Sequence, residues 1–341
     1  MSSASPNSTV LLVLYDILPN VHQPQRPYAL LPNPWITRLI LKSKGIPFVV
    51  KPITTTELRA EGPGSFRERF GSTLGPNDRP LIPMIEHNGR LVGDTVTIAH
   101  YLDFHFPETP SPYLPELQAS QLKENALAHS IAANQATQLR ATIAQRHVQL
   151  VYEQCTELFD EEQRGWMRSD AKLGMPNAYN LFMSMDRATL LASARIHVAG
   201  VFSILSPPST PRIEGLSPHQ DTTDLLLTPP AQQQQQFLSS PTKPGLLDFT
   251  VFGWFLLTYT ADLPLNHAIW SESSFKAREW LGVYKGGEYA LRGDVAKEGH
   301  WPGDVPLRGV EEWATRMFAL YDNYTRRIVE GEVLEGEPEK L

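Results

Sequence analysis

Val10–Tyr15 is a short apolar run ahead of a polar, proline-rich stretch from 16 to 32, which predicts a buried central strand followed by a loop. The pattern then turns helical, with Trp35 and Leu39 on one face and Ile36 and Ile40 beside it. Asn33 reads as the N-cap, Pro34 fits the first turn, and Gly45 stops the helix. Ile46–Pro52 predicts a second strand, placed at an edge by Pro47 and Pro52. Residues 54–78 show no period. Leu81–Glu86 and Arg90–Val92 predict two more strands, joined through His87-Asn88-Gly89, where Asn-Gly is a strong hairpin signal. A helix over Thr95–Phe104 closes this unit.

Residues 107–115 carry four prolines and read as a linker. Beyond it the period is helical. Leu122, Ala126, Ala136, Leu139 and Ile143 predict one long helix over Glu116–Gln154, and further helices are predicted at Asp186–Leu205, Leu246–Thr260, Ser273–Tyr284 and Val310–Val329. The last repeats Trp313, Met317, Tyr321, Tyr324 and Ile328 at helical spacing. Between them, 206–243 holds seven prolines and the tract Gln232–Gln236, a composition that cannot repay the entropy of ordering, so it is expected to be a disordered or loosely draped insertion. The expected organisation is an α/β region over 1–106, a linker over 107–115, and an all-helical region over 116–341 with the insertion at about 206–243.

Composition narrows the function classes. The 341 residues carry a net charge of −7 with a pI near 5.8, and no basic stripe is present, which argues against a nucleic-acid partner. The longest apolar run, Leu246–Ala261, is interrupted by Asp248 and is too short to span a bilayer. The polar start lacks the order of a secretion signal, so a cytoplasmic protein is expected, and the Asn7-Ser8-Thr9 and Asn323-Tyr324-Thr325 sequons are read as chance matches. The single cysteine, Cys155, excludes disulfides within the chain and a thiolate-rich metal site, and it is read as a packing residue. Walker, nucleophile-elbow and His-Glu-x-x-His patterns are absent from the sequence, and the histidines have no ligand spacing. No metal is expected.

Three segments together resemble glutathione transferases. Leu81-Ile82-Pro83-Met84-Ile85 is similar to the family's Val-Pro strand with a cis proline. Gly93-Asp94-Thr95-Val96-Thr97-Ile98-Ala99-His100-Tyr101-Leu102-Asp103 is similar to its Asp/Glu-Ser-x-x-Ile-x-x-Tyr-Leu motif. Leu31-Pro32-Asn33-Pro34-Trp35 through Lys44-Gly45-Ile46-Pro47-Phe48 resembles the first helix of the fungal β-etherase-like subgroup. The resemblance covers about Thr9–Asp103 and weakly the helical half, through Pro244-Gly245-Leu246-Leu247-Asp248, where Gly245 replaces the usual Ser/Thr cap.

The resemblance implies a thioredoxin-like α/β domain followed by an all-α domain, with glutathione as cosubstrate. The Ile82 backbone before Pro83 would pair with the cysteinyl unit. Asp94 would face the ligand's ammonium, while Thr95 and the helix start would hold the γ-glutamyl carboxylate. The second ligand would be a hydrophobic, electrophilic aromatic or polyketide-like small molecule, handled by conjugation, ether cleavage or deglutathionylation in secondary metabolism, and the protein would be a homodimer. Seven residues before Arg38, where the subgroup carries a catalytic serine, this chain has Leu31, which cannot donate to a sulfur. Asn33 with the helix N-terminus is the first candidate to stabilise a thiolate, and Tyr15 the second. A non-catalytic glutathione-binding protein is the alternative.

Overall fold

The computed structural model describes residues 12–17, 19, 31–70, 80–203, 205, 235–284, 303–305 and 307–330. Most of the 16–32 stretch, and 206–234 of the expected insertion, lie outside the described residues.

The first region is a four-stranded sheet of order β2-β1-β3-β4. Strand β1 (Leu12–Ile17) pairs in parallel with β2 (Phe48–Ile53) and antiparallel with β3 (Met84–His87), which forms a hairpin with β4 (Arg90–Gly93). The hairpin turns at Asn88 and Gly89, with φ of 53° and 76°, the left-handed pair that Asn-Gly supplies most readily. Helix α1 (Pro32–Ser43) crosses between the parallel strands. Helix α4 (Thr95–His105) packs beside it, and the short α2 (Thr55–Arg59) and α3 (Phe66–Phe70) lie between β2 and β3 in the chain.

Helix α1 is buried on nearly every face, including Trp35, Ile36, Leu39, Ile40 and Leu41, because it lies between the sheet and α10 (Leu246–Ala261) of the helical region. Gly253 makes that contact possible. A Cβ there would stand 2.7 Å from the Pro32 carbonyl oxygen and 3.3 Å from Ile36 Cγ1.

The linker is ordered. Lys44 Nζ reaches Asp103 at 2.7 Å and Thr109 at 2.8 Å, Ser111 Oγ donates to Asp103 at 2.8 Å, and Leu246 N–H donates to the Pro112 carbonyl at 2.6 Å. The helical region is built from α5 (Ala126–Glu157), α6 (Glu161–Met167), α7 (Asp170–Leu173), α8 (Ala178–Ser184), α9 (Arg187–Phe202), α10, α11 (Leu263–Trp270), α12 (Ser274–Tyr284) and α13 (Val310–Val329), the last broken by a kink at Leu320–Asn323, so that the helical spacing expected through Tyr321 is interrupted there.

Two sequence expectations are corrected here. The long helix begins at Ala126 rather than Glu116, because the chain after Pro115 turns through a 3-10 segment at Ala119–Gln121 whose Gln118 and Gln121 close a capping box. The expected insertion also ends earlier than 243. Phe237 and Leu238 are 5% and 4% exposed, and the Leu238 and Ser239 N–H groups donate to Asp248 at 2.7 and 2.9 Å. Composition hid this because two apolar side chains among glutamines and prolines carry no period.

Asp248 is fully buried and also accepts from Gly245 N–H at 3.1 Å and Trp313 Nε1–H at 2.9 Å. Burial pushes its pKa up, opposed by these donors. Arg195 plays the complementary part. Buried in α9, it donates to the carbonyls of Ala268, Ser271, Gly303 and Val305 at 2.8–3.3 Å.

Candidate functional site

Strand register brings the three sequence motifs to one edge of the sheet. Tyr15 pairs with Lys51 of β2 and Met84 of β3, and Met84 pairs with Gly93 of β4. One step beyond this row lie the end of β1, the Ile82–Pro83 dipeptide and the start of α4 at Asp94. The crossover returns the start of α1 to the same edge, since β1 and β2 are parallel and α1 runs back between them. Arg38 fixes α1 against the strand, with its guanidinium 2.6 Å from Asp16 and both side chains fully buried. Removing one partner of such a pair leaves a buried charge, at a cost of about 3–5 kcal/mol.

The Ile82–Pro83 peptide is cis, as the resemblance implied. Ile82 precedes the first ladder pair of β3, so its N–H and C=O find no partner among the described residues. An extended ligand backbone can take both.

Asp94 caps α4, accepting from Val96 and Thr97 N–H at 3.1 and 3.3 Å. Its backbone stands at φ 66° and ψ 133°, a positive-φ conformation that is uncommon for a residue other than glycine. Its other oxygen accepts from Arg140 of α5 at 3.0 Å. Thr95 is 1% exposed and its hydroxyl has no partner among the described residues. Leaving such a group unsatisfied costs about 1–3 kcal/mol.

At α1 the N-cap is Leu31, with no side-chain cap, and Asn33 sits at the second helical position. This corrects the reading of Asn33 as the cap. Pro32 supplies the preformed first residue, so the helix starts one proline earlier. Prolines at 32 and 34 also remove two of the backbone N–H groups that a helix N-terminus normally presents. The Asn33 side-chain amide, half-buried, has no hydrogen-bond partner among the described residues.

Tyr15 is committed elsewhere. Successive strand residues face opposite sides of a sheet. Asp16 reaches α1, so Tyr15 points to the other face, edge-on to Phe66 of α3. Its hydroxyl donates to Glu86 at 2.6 Å, and Arg69 lies 2.8 Å from the same carboxylate. Burial, reinforced by the Glu86 contact, raises the Tyr15 pKa, and the Tyr15 and Arg69 hydrogen bonds hold Glu86 low. Cys155 is buried in α5 and burial pushes its thiol up, which suits a packing role. Among the described residues no group of three His, Cys, Asp or Glu side chains could hold a metal ion, and no helix is long and apolar enough to cross a membrane.

Sequence reasoning missed Arg140. Its signal is a charged residue at the half-buried position between Ala136 and Ile143, on the stripe of α5 that faces the core.

The fold matches solved structures. A glutathione S-transferase of Ceriporiopsis subvermispora in complex with glutathione aligns at 17% identity with a TM-score of 0.52, over 82% of this chain and 99% of that one. The chain has the glutathione transferase fold. A second Ceriporiopsis subvermispora glutathione S-transferase, also in complex with glutathione, aligns at 16% identity and 0.50, over 81% and 98%. A glutathione transferase from Phanerochaete chrysosporium gives 16% and 0.50, over 97% and 99%. No family profile and no curated protein matches the chain.

Proposed function

We propose that the chain is a glutathione-dependent transferase of the fungal β-etherase-like kind. It would act in the cytoplasm on an electrophilic aromatic or polyketide-like small molecule, by conjugation, ether cleavage or deglutathionylation, in secondary metabolism. The observation that carries this is the Ile82 backbone, without a hydrogen-bond partner among the described residues, ahead of cis-Pro83 and beside the start of α4. That edge offers strand-like pairing to a cysteinyl unit and, within reach, the Asp94 and Thr95 groups for the γ-glutamyl end. Two structures of the same fold are in complex with glutathione.

Thiolate stabilisation would fall to the Asn33 amide and the dipole of α1, since Leu31 has no donor. A homodimer belongs to the same proposal. Phe104 of α4 and Leu127 and Ile131 of α5 are 79%, 76% and 50% exposed, large apolar side chains of the kind a partner would cover.

A second reading, a glutathione-binding protein without thiolate activation, is favoured by Leu31 at the cap and by the donors lost at Pro32 and Pro34. Ultraviolet absorbance of bound glutathione against pH separates the two. In the transferase the thiol titrates below its free value, and Leu31→Ser lowers it by a further unit or so, about 1.4 kcal/mol. Electrophile turnover at neutral pH rises in step. A wild-type thiol titrating at its free value selects the binding protein, and failure to bind glutathione at all removes both readings.

A further inference from the structure

We propose that Arg140 is a specificity residue, whose guanidinium takes the α-carboxylate of the ligand's γ-glutamyl end while Asp94 takes the adjacent ammonium. This rests on the glutathione reading above.

The guanidinium has five N–H groups, and its one bond among the described residues goes to Asp94, at 3.0 Å. The side chain is 29% exposed, so the remaining donors are open to a ligand. The site already favours an anion. It adjoins the N-terminus of an eleven-residue helix, α4, whose Thr95 hydroxyl is buried without a partner among the described residues. An amino-acid terminus carries a carboxylate and an ammonium on one carbon, and a guanidinium beside a carboxylate is its complement.

Stability does not account for the arginine. A partly exposed ion pair contributes at most about 1 kcal/mol, and Asp94 is already satisfied by two backbone donors. Yet a charge occupies a half-buried position on the core-facing stripe of α5. Because Arg140 comes from the helical region and Ile82 and Thr95 from the α/β region, the ligand would be gripped from both sides of their junction.

The test is calorimetric titration of the full chain with glutathione and with an analogue carrying a carboxamide in place of the γ-glutamyl α-carboxylate. Wild type, Arg140→Lys and Arg140→Gln are compared after circular dichroism confirms their folds. Arg140→Gln is expected to weaken glutathione binding by about tenfold or more, the scale of one lost hydrogen bond to a charged group. Its affinity for the carboxamide should stay within about twofold of wild type, and Arg140→Lys should fall between. Equal losses for both ligands, or no loss for glutathione, overturn the assignment while leaving the glutathione reading standing. A wild type that binds neither compound overturns both.

Discussion

Gly245 stands where the resemblance to glutathione transferases implies a serine or threonine cap, and its surroundings leave no room for a side chain. A Cβ at this position would lie 2.7 Å from the Pro112 carbonyl oxygen and 2.8 Å from the Ser239 side chain. The linker and the chain after 235 converge on the start of α10, and only a bare backbone fits between them. The cap is supplied in reverse, by Asp248 accepting from Gly245 N–H. Gly245→Ser is therefore expected to destabilise the protein by about 2 kcal/mol, the range of a forced overpacking. Urea denaturation of the two proteins checks it, and an equal or higher midpoint for the serine variant would show that the close approach is absent.

Elements differ in how far local pattern could define them. Helix α10 reads clearly because its apolar residues are continuous, and α1 because its caps and prolines fix its start within two residues. The segment 235–243 does not, since its two apolar side chains gain meaning only by lying over Asp248 and α13. Arg316 of that helix stands 6.0 Å from the Phe237 ring. Phe237→Ala should cost about 3–5 kcal/mol, as for a large aromatic removed from a core. Deleting 206–243 should lower the melting temperature for the same reason, whereas its composition alone predicts a neutral deletion. Thermal melts followed by circular dichroism would decide, and an unchanged midpoint for Phe237→Ala would remove this segment from the core.

At the scale of the whole molecule, buried histidines make stability depend on pH. His147 is fully buried among Trp254, Trp270 and His197, with Nδ1 donating to the Ile143 carbonyl at 2.9 Å. Burial lowers its pKa to about 3, against about 6.5 when unfolded. The neutral form is the one the fold accepts, so its contribution is intact above pH 6.5. It is lost as pH falls from 6.5 toward 3, because the unfolded chain takes up the proton first. At pH 5 the loss from His147 alone is about 2 kcal/mol. Burial also lowers the pKa of His87, His100 and His197, which adds in the same direction. Denaturant titrations at pH 7.5 and 5.0 should show this drop in wild type and a smaller one in His147→Gln; equal drops would mean that the ring is accessible to protons in the native state.

The sequence alone determined the strands and their order along the chain, the hairpin at Asn88-Gly89 and the three motifs at the sheet edge, because each is encoded within a few residues. It did not reveal that Tyr15 faces α3 and spends its proton on Glu86, since the face of a strand residue depends on which helix packs where. Nor could it pair Asp16 with Arg38, or Asp94 with Arg140, contacts that join residues 22 and 46 positions apart. Charge partners and close approaches of this kind arise only when separate elements pack, and packing is what decided Gly245, Gly253 and the ordered end of the low-complexity stretch.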